Sequence, residues 1–131
     1  HYVLNRFNMK TSLETQIGGS HYKALSYQPI TFIVKMRCNF IQGNIIKYLS
    51  RYKYKNGKQD LLKVIHYVQL GIDLHPDNYC SFGETTSEEV HRYVKENNFS
   101  SMIEEILFST ITQNWLNITD KVKTLIDTEY E

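Results

Sequence analysis

Cysteine, proline and tryptophan are scarce in this 131-residue chain, which has two, two and one of them. Cys38 and Cys80 lie far apart and show no metal-ligand spacing, which argues against a disulfide scaffold or a cysteine zinc module. Reduced thiols of a cytoplasmic protein are the expectation. No apolar run approaches the ~18 residues of a membrane span. The start of the chain is mixed and polar, unlike a signal peptide. Residues 1–8 precede Met9 and are assigned no function. Strict alternation over a long run, internal repeats and low-complexity tracts are also missing, so nothing points to a β-rich or solenoid fold.

Several chemical signatures are lacking as well. No glycine-rich segment ends in Gly-Lys-Ser/Thr, so there is no P-loop. Histidine and carboxylate at zinc spacing are missing. The two Glu-x-x-Glu/Asp motifs of helical nucleotide pyrophosphatases do not occur. Residues 17–73 contain only two acids, Asp60 and Asp73. That is thin for a Mg²⁺ site, which takes one or two carboxylates besides the phosphates. Glu88-Glu89 and Glu104-Glu105 sit in the other half and read as capping and surface charge.

What is present is an ordinary globular composition, 41% hydrophobic, with ten tyrosines. Such a chain is not generally disordered and buries roughly two-thirds of its unfolded surface. The net charge of +1 hides a split. Residues 1–80 carry 11 Lys/Arg and 4 Asp/Glu, whereas residues 81–131 carry 4 and 10. The basic half suits an anion. The acidic half suits either solubility or contact with the basic half of a second copy.

Periodicity predicts an all-α protein with a central antiparallel helix hairpin, a Gly-rich N-terminal arm and a C-terminal helical segment. Residues 1–16 read as an arm or as residues foreign to the domain. Residues 17–76 form a basic core and residues 85–131 an acidic helical segment. Pro29 suits a helix start, giving a helix over about 29–37. Asn39 caps a second, running to about residue 55, with Ile41, Ile45, Tyr48, Leu49 and Tyr52 as its apolar stripe. Asn56-Gly57 stops it. A third covers about 59–74, buries Leu61, Leu62, Ile65, Val68, Leu70 and Ile72, and is ended by Pro76. Capping boxes in Thr85-Thr86-Ser87-Glu88-Glu89 and at Ser101/Glu104 predict helices over about 87–96 and 101–113. A last helix, capped by Asn117 or Thr119, runs to about 129.

The chemistry concentrates in Gly43–Lys53. Asn44, Lys47, Tyr48 and Arg51 share one helix face at i, i+3, i+4 and i+7. Arginine grips phosphate with paired donors, lysine adds a point charge, asparagine reads a base edge or sugar, and tyrosine stacks on a base. Gly43 costs about 1 kcal/mol in a helix, which close approach of a ligand or another helix would explain. Taken alone, a basic face is ordinarily just solvated and Tyr48 would be core. The third helix strengthens the functional reading, because Lys63, His66 and Tyr67 again group a cation, an imidazole and a phenol. Asp60 reads as a carboxylate favouring the helix dipole. The Gly18-Gly19-Ser20-His21-Tyr22-Lys23 loop adds backbone donors and further cationic and aromatic groups. The candidate ligand-binding residues are therefore His21, Tyr22, Lys23, Asn44, Lys47, Tyr48, Arg51, Lys63 and His66, converging on one anion-sized hollow. No catalytic residue, cofactor or metal ligand is assigned.

The ordered motifs Gly-Gly-x-His-Tyr (18–22), Gln-Pro (28–29), Phe-x-x-Gly-Asn-x-x-Lys-Tyr-x-x-Arg-Tyr (40–52) and Asp-Leu-x-Lys-x-x-His-Tyr (60–67) give the chain a family likeness. It resembles a family of small bacteriophage proteins of formerly unknown function that includes a nucleotide kinase lacking a Walker motif. The likeness spans about residues 17–73 and does not reach residues 85–131. It implies a phage origin, the cytoplasm of the infected host and nucleotide-related ligands. Three readings follow. The leading one is a protein that binds and sequesters a nucleotide, such as a cyclic or modified immune signal of the host. A nucleoside monophosphate kinase is the alternative, and nucleic-acid binding the weaker third. A homo-oligomer is expected under all three, because a two-helix hairpin is too thin to bury both faces.

Overall fold

Proline, glycine and polar caps divide the chain into short helical lengths. The computed structural model describes residues 25–81 and 83–131. Among these lie α1 (Pro29–Lys35), α2 (Phe40–Arg51), a 3-10 turn (Tyr52–Tyr54), α3 (Lys58–Leu74), α4 (Glu84–Glu96), α5 (Ser101–Ile111) and α6 (Trp115–Tyr130), and no strand. The protein is all-α. The Gly-rich arm, with His21, Tyr22 and Lys23, falls outside the described residues.

The helix ends show which local signals won. Pro29 opens α1. The helix closes earlier than expected, because Arg37 turns left-handed and the Cys38 N–H bonds the Ile33 carbonyl at 3.1 Å. Asn39 caps α2 as expected, and Gln42 completes the box, with both reciprocal bonds at 2.9 Å. Beyond Arg51 the backbone tightens into the 3-10 turn, and Gly57 (φ +53) makes the corner. Left-handed His75 ends α3 just before Pro76. Helix α4 begins three residues before the expected start, with Gly83 at its cap. Thr86 is not the cap: its hydroxyl donates to the Ser81 carbonyl and pins the preceding linker. Ser100, rather than Ser101, caps α5 by accepting from the Ile103 N–H at 3.3 Å. Neither Asn117 nor Thr119 caps α6, which starts at Trp115. Asn117 instead donates to Ser109 Oγ at 2.6 Å and ties α6 to α5.

Helices α2 and α3 pack along each other through the short turn between them, and α6 lies against α3 and α5. One apolar cluster joins Phe32, Ile45, Ile46, Leu49, Leu61, Val64 and Val68 to Val90, Tyr93, Ile106, Leu107, Ile118 and Val122. The core therefore runs continuously through the basic and acidic stretches. Burying each aliphatic side chain stabilises by ~1.5–3 kcal/mol, so the acidic segment contributes directly to the stability of the basic one. Leu62 corrects the expected stripe of α3: it is 48% exposed, and Leu61, Val64, Val68 and Gly71 hold the buried line. A Cβ on Gly43 would sit 3.2 Å from Ile33 Cγ2. The close approach at this glycine is made by α1.

Polar groups knit the layers. Fully buried Gln42 donates to the Asn78 Oδ1 and Thr110 carbonyl, both at 3.1 Å, joining α2 to the 75–81 linker and to α5. Asn97 holds the Tyr27 backbone with two bonds of 2.9 and 2.8 Å. The opposed charges of the two halves meet within the chain. Lys35 pairs with Glu89 at 3.1 Å, Lys53 with Glu129 at 3.8 Å and Lys58 with Glu131 at 2.7 Å.

Candidate functional site

The 3.6-residue period of α2 places Lys47, Tyr48 and Arg51 on one side, and the turn at 52–57 brings the start of α3 alongside. Three cations consequently gather on one phenol ring. The Lys47 ammonium lies 4.5 Å from the Tyr48 ring centroid, the Arg51 guanidinium 4.7 Å and the Lys63 ammonium 5.1 Å. Such contacts are each worth ~0.5–1 kcal/mol where exposed and more where water is excluded.

Asp60 explains how mutually repelling cations remain so close. Its side chain is completely buried, accepts from Arg51 Nε at 3.2 Å and Nη2 at 3.3 Å, and lies 3.9 Å from Lys63 Nζ. It also accepts from the Asn56 N–H at 3.4 Å, which anchors the turn. The carboxylate stands in the first turn of α3, as a dipole-favouring acid should, but its main partner is Arg51. Among the described residues, one carboxylate, Asp60, faces three cations around Tyr48.

An aromatic strip continues from this cluster. Tyr67 stacks on Tyr48 with centroids 5.9 Å apart and planes 27° apart. Phe40, 76% exposed, meets Tyr67 edge-on at 6.2 Å. Tyrosine and phenylalanine from two helices thus form a partly open apolar surface beside the cations.

The expected residues fall into three groups. Lys47, Tyr48, Arg51 and Lys63 are brought together. Asn44 lies one turn away on α2, where its amide donates to the Phe40 carbonyl at 2.8 Å. His66 is exposed on α3, with its ring edge-on to Tyr67 at 5.9 Å. His21, Tyr22 and Lys23 lie outside the described residues. The cations converge on a ring face. Two hollows formed by described residues lie elsewhere. One of about 280 Å³ is lined by Tyr27, Lys35, Arg92 and Glu96, and one of about 150 Å³ by Leu49, Tyr52, Asn98 and Phe99.

Asp60, Tyr67 and Phe40 are additional members, outside the set that helical spacing marks as candidates. Tyr67 carried a usable signal, since it stands four residues after Lys63. The Arg51–Asp60 pair spans a helix junction, and no single-helix period predicts it. No helix among the described residues is long and apolar enough to cross a membrane. Residues 17–69 match a family described as a protein of unknown function (DUF3310), a stretch that contains α1, α2 and most of α3. No curated protein and no solved structure matches the chain.

Proposed function

We propose that this protein binds a nucleotide on the α2–α3 face and sequesters it without converting it. The supporting observation is the gathering of Lys47, Arg51 and Lys63 around Tyr48, with Asp60 as the counter-ion of Arg51 and Lys63. Cations that outnumber the carboxylate among the described residues favour a phosphate, which arginine and lysine bind through charge-assisted hydrogen bonds. The Tyr48–Tyr67–Phe40 strip offers a platform for a base, and stacking of this kind is worth ~1–3 kcal/mol per base. Asp60 is fully buried and engaged by Arg51, so it supports the cations rather than presenting a carboxylate to a phosphate-bound metal.

The motif resemblance adds a setting for this reading. The ligand is a nucleotide signal of host defence, cyclic or otherwise modified, captured in the cytoplasm of an infected bacterium. Capture silences the effector that the signal would activate. A second copy of the chain completes the enclosure of the ligand.

The test is to titrate the purified chain with a panel of nucleoside monophosphates, cyclic mononucleotides and cyclic dinucleotides, then recover the bound compound after heat denaturation and identify it by mass spectrometry. Intact ligand at stoichiometric yield, lost in Lys47→Gln and Lys63→Gln, is the expected outcome. Steady ATP-dependent phosphorylation of a nucleoside monophosphate would replace sequestration with kinase activity. Binding of polynucleotides alone, falling steeply with salt, would assign the face to nucleic acid.

A further inference from the structure

The two cysteines, 42 positions apart in sequence, are drawn to one side-chain oxygen in the fold: Gln42 Oε1 accepts from the Cys80 thiol and from the backbone N–H that follows Cys38. Cys38 immediately precedes Asn39, the cap of α2, and Cys80 lies in the linker that leaves α3. The linker is laid against that cap by a set of hydrogen bonds. Asn39 Nδ2 donates to the Asp77 carbonyl at 2.9 Å, and Gln42 Nε2 donates to Asn78 Oδ1 at 3.1 Å. Asn78 Oδ1 also accepts from the Cys80 N–H at 3.1 Å. Gln42 Oε1 accepts from both the Asn39 N–H at 2.9 Å and the Cys80 thiol at 3.7 Å. This arrangement brings the Cys80 sulfur to the helix cap that Cys38 immediately precedes and makes the two thiols neighbours. Cys80 is buried and Cys38 is half-buried, so the pair has a path to solvent on the Cys38 side.

We propose that Cys38 and Cys80 form a reversible modification site, a dithiol that a hydroperoxide closes to an intramolecular disulfide. Contact with Cys80, together with burial, pushes the Cys38 thiol up, and the same contact pulls Cys80 down. The two thiols titrate as a pair, and its first proton belongs to the pair rather than to one sulfur. The thiolate so formed attacks one oxygen of the peroxide. The O–O bond breaks, its electron pair leaves with the other oxygen, and that oxygen takes a proton to become water. The attacking sulfur is then a sulfenic acid. The second cysteine's sulfur attacks it, an S–S bond forms, and the displaced hydroxide leaves as water with the second thiol's proton. The two thiols are oxidised by two electrons and one hydrogen peroxide is reduced to two waters. A thiol reductant reverses the bond by exchange. The closed loop contains both α2 and α3, so the modification staples the two helices that carry the cation cluster.

The experiment uses the reduced full chain, freed of reductant and treated with stoichiometric hydrogen peroxide. Remaining thiols are capped with iodoacetamide, and intact mass and peptide maps are read. The expected product lacks two hydrogens, carries no cap and yields one joined Cys38–Cys80 peptide. Dithiothreitol restores both thiols. Closure of the loop raises the melting temperature by roughly 5–15 °C, and neither Cys38→Ser nor Cys80→Ser shows that rise. Capping of both cysteines after peroxide treatment of the folded wild type would overturn the proposal. So would separate oxidation of each to sulfinic acid, or cross-links found only between chains.

Discussion

Asp60 on α3 receives two donors of the Arg51 guanidinium on α2, at 3.2 and 3.3 Å, and neither side chain is more than 10% exposed. A buried ion pair is seldom a large net source of stability, but removing one member leaves the other charge stranded. Asp60→Asn is therefore expected to lower unfolding free energy by about 3–5 kcal/mol in urea titrations. Arg51→Met in the same chain should recover part of that loss. A double variant as unstable as the sum of the two single variants would mean that the pair does not act as a unit.

Tyr48 separates two roles that its ring and its hydroxyl could play. Tyr48→Phe keeps the ring face beneath Lys47, Arg51 and Lys63 and is expected to bind nucleotide within about threefold of wild type. Tyr48→Leu removes the π face and should weaken binding roughly 10-fold or more, read by calorimetry. Equal losses in both variants would assign the effect to the hydroxyl.

The α3–α6 contact is set by Gly71. A Cβ there would lie 2.7–2.8 Å from three atoms of the Trp115 ring. Gly71→Ala must displace the indole or spread the helices, at a cost of about 1–3 kcal/mol. The usual gain in helix propensity from glycine to alanine, about 1 kcal/mol, is too small to offset the upper end of that range. A shift of the urea midpoint to lower concentration is the expected result.

Acid stability should respond to Glu89. Burial by itself would raise this carboxyl, but the Tyr27 hydroxyl at 2.5 Å, Lys35 and Arg92 outweigh it and hold it below the ordinary range. A carboxylate lowered in the folded state stabilises at pH above its unfolded value and loses that contribution as pH falls through the folded one. Glu89→Gln is expected to be less stable than wild type at neutral pH. The difference should shrink once the pH drops below ~4. A gap independent of pH between 7 and 3 would show that the charge is not the source.

The all-α character and the number of described helices were readable from periodicity and punctuation, because caps and prolines act within a few residues. Asn39 is the clearest instance: its side chain and that of Gln42 bond each other's backbone exactly within the window that sequence inspection covers. The misplaced caps have the same origin. Ser100 and Ser101 stand at adjacent positions, and it is the Ser100 hydroxyl that reaches the Ile103 N–H. Leu62 departs from the expected stripe because four apolar residues cluster at 61, 62, 64 and 65, and only the neighbouring helices decide which of them face inward.

Within the binding face, the chain order alone determined that Lys47, Tyr48 and Arg51 share a helix side, and that Lys63 and Tyr67 share another, since one helical period relates each set. Only the tertiary structure decided that these sides face each other, that Asp60 is their buried counter-ion, and that Cys38 meets Cys80. Those relationships depend on the turn at 52–57 and on Gln42 joining α2 to the linker and α5. Each is a contact between segments many residues apart, and local propensity carries no information about which distant partner will fill a given space.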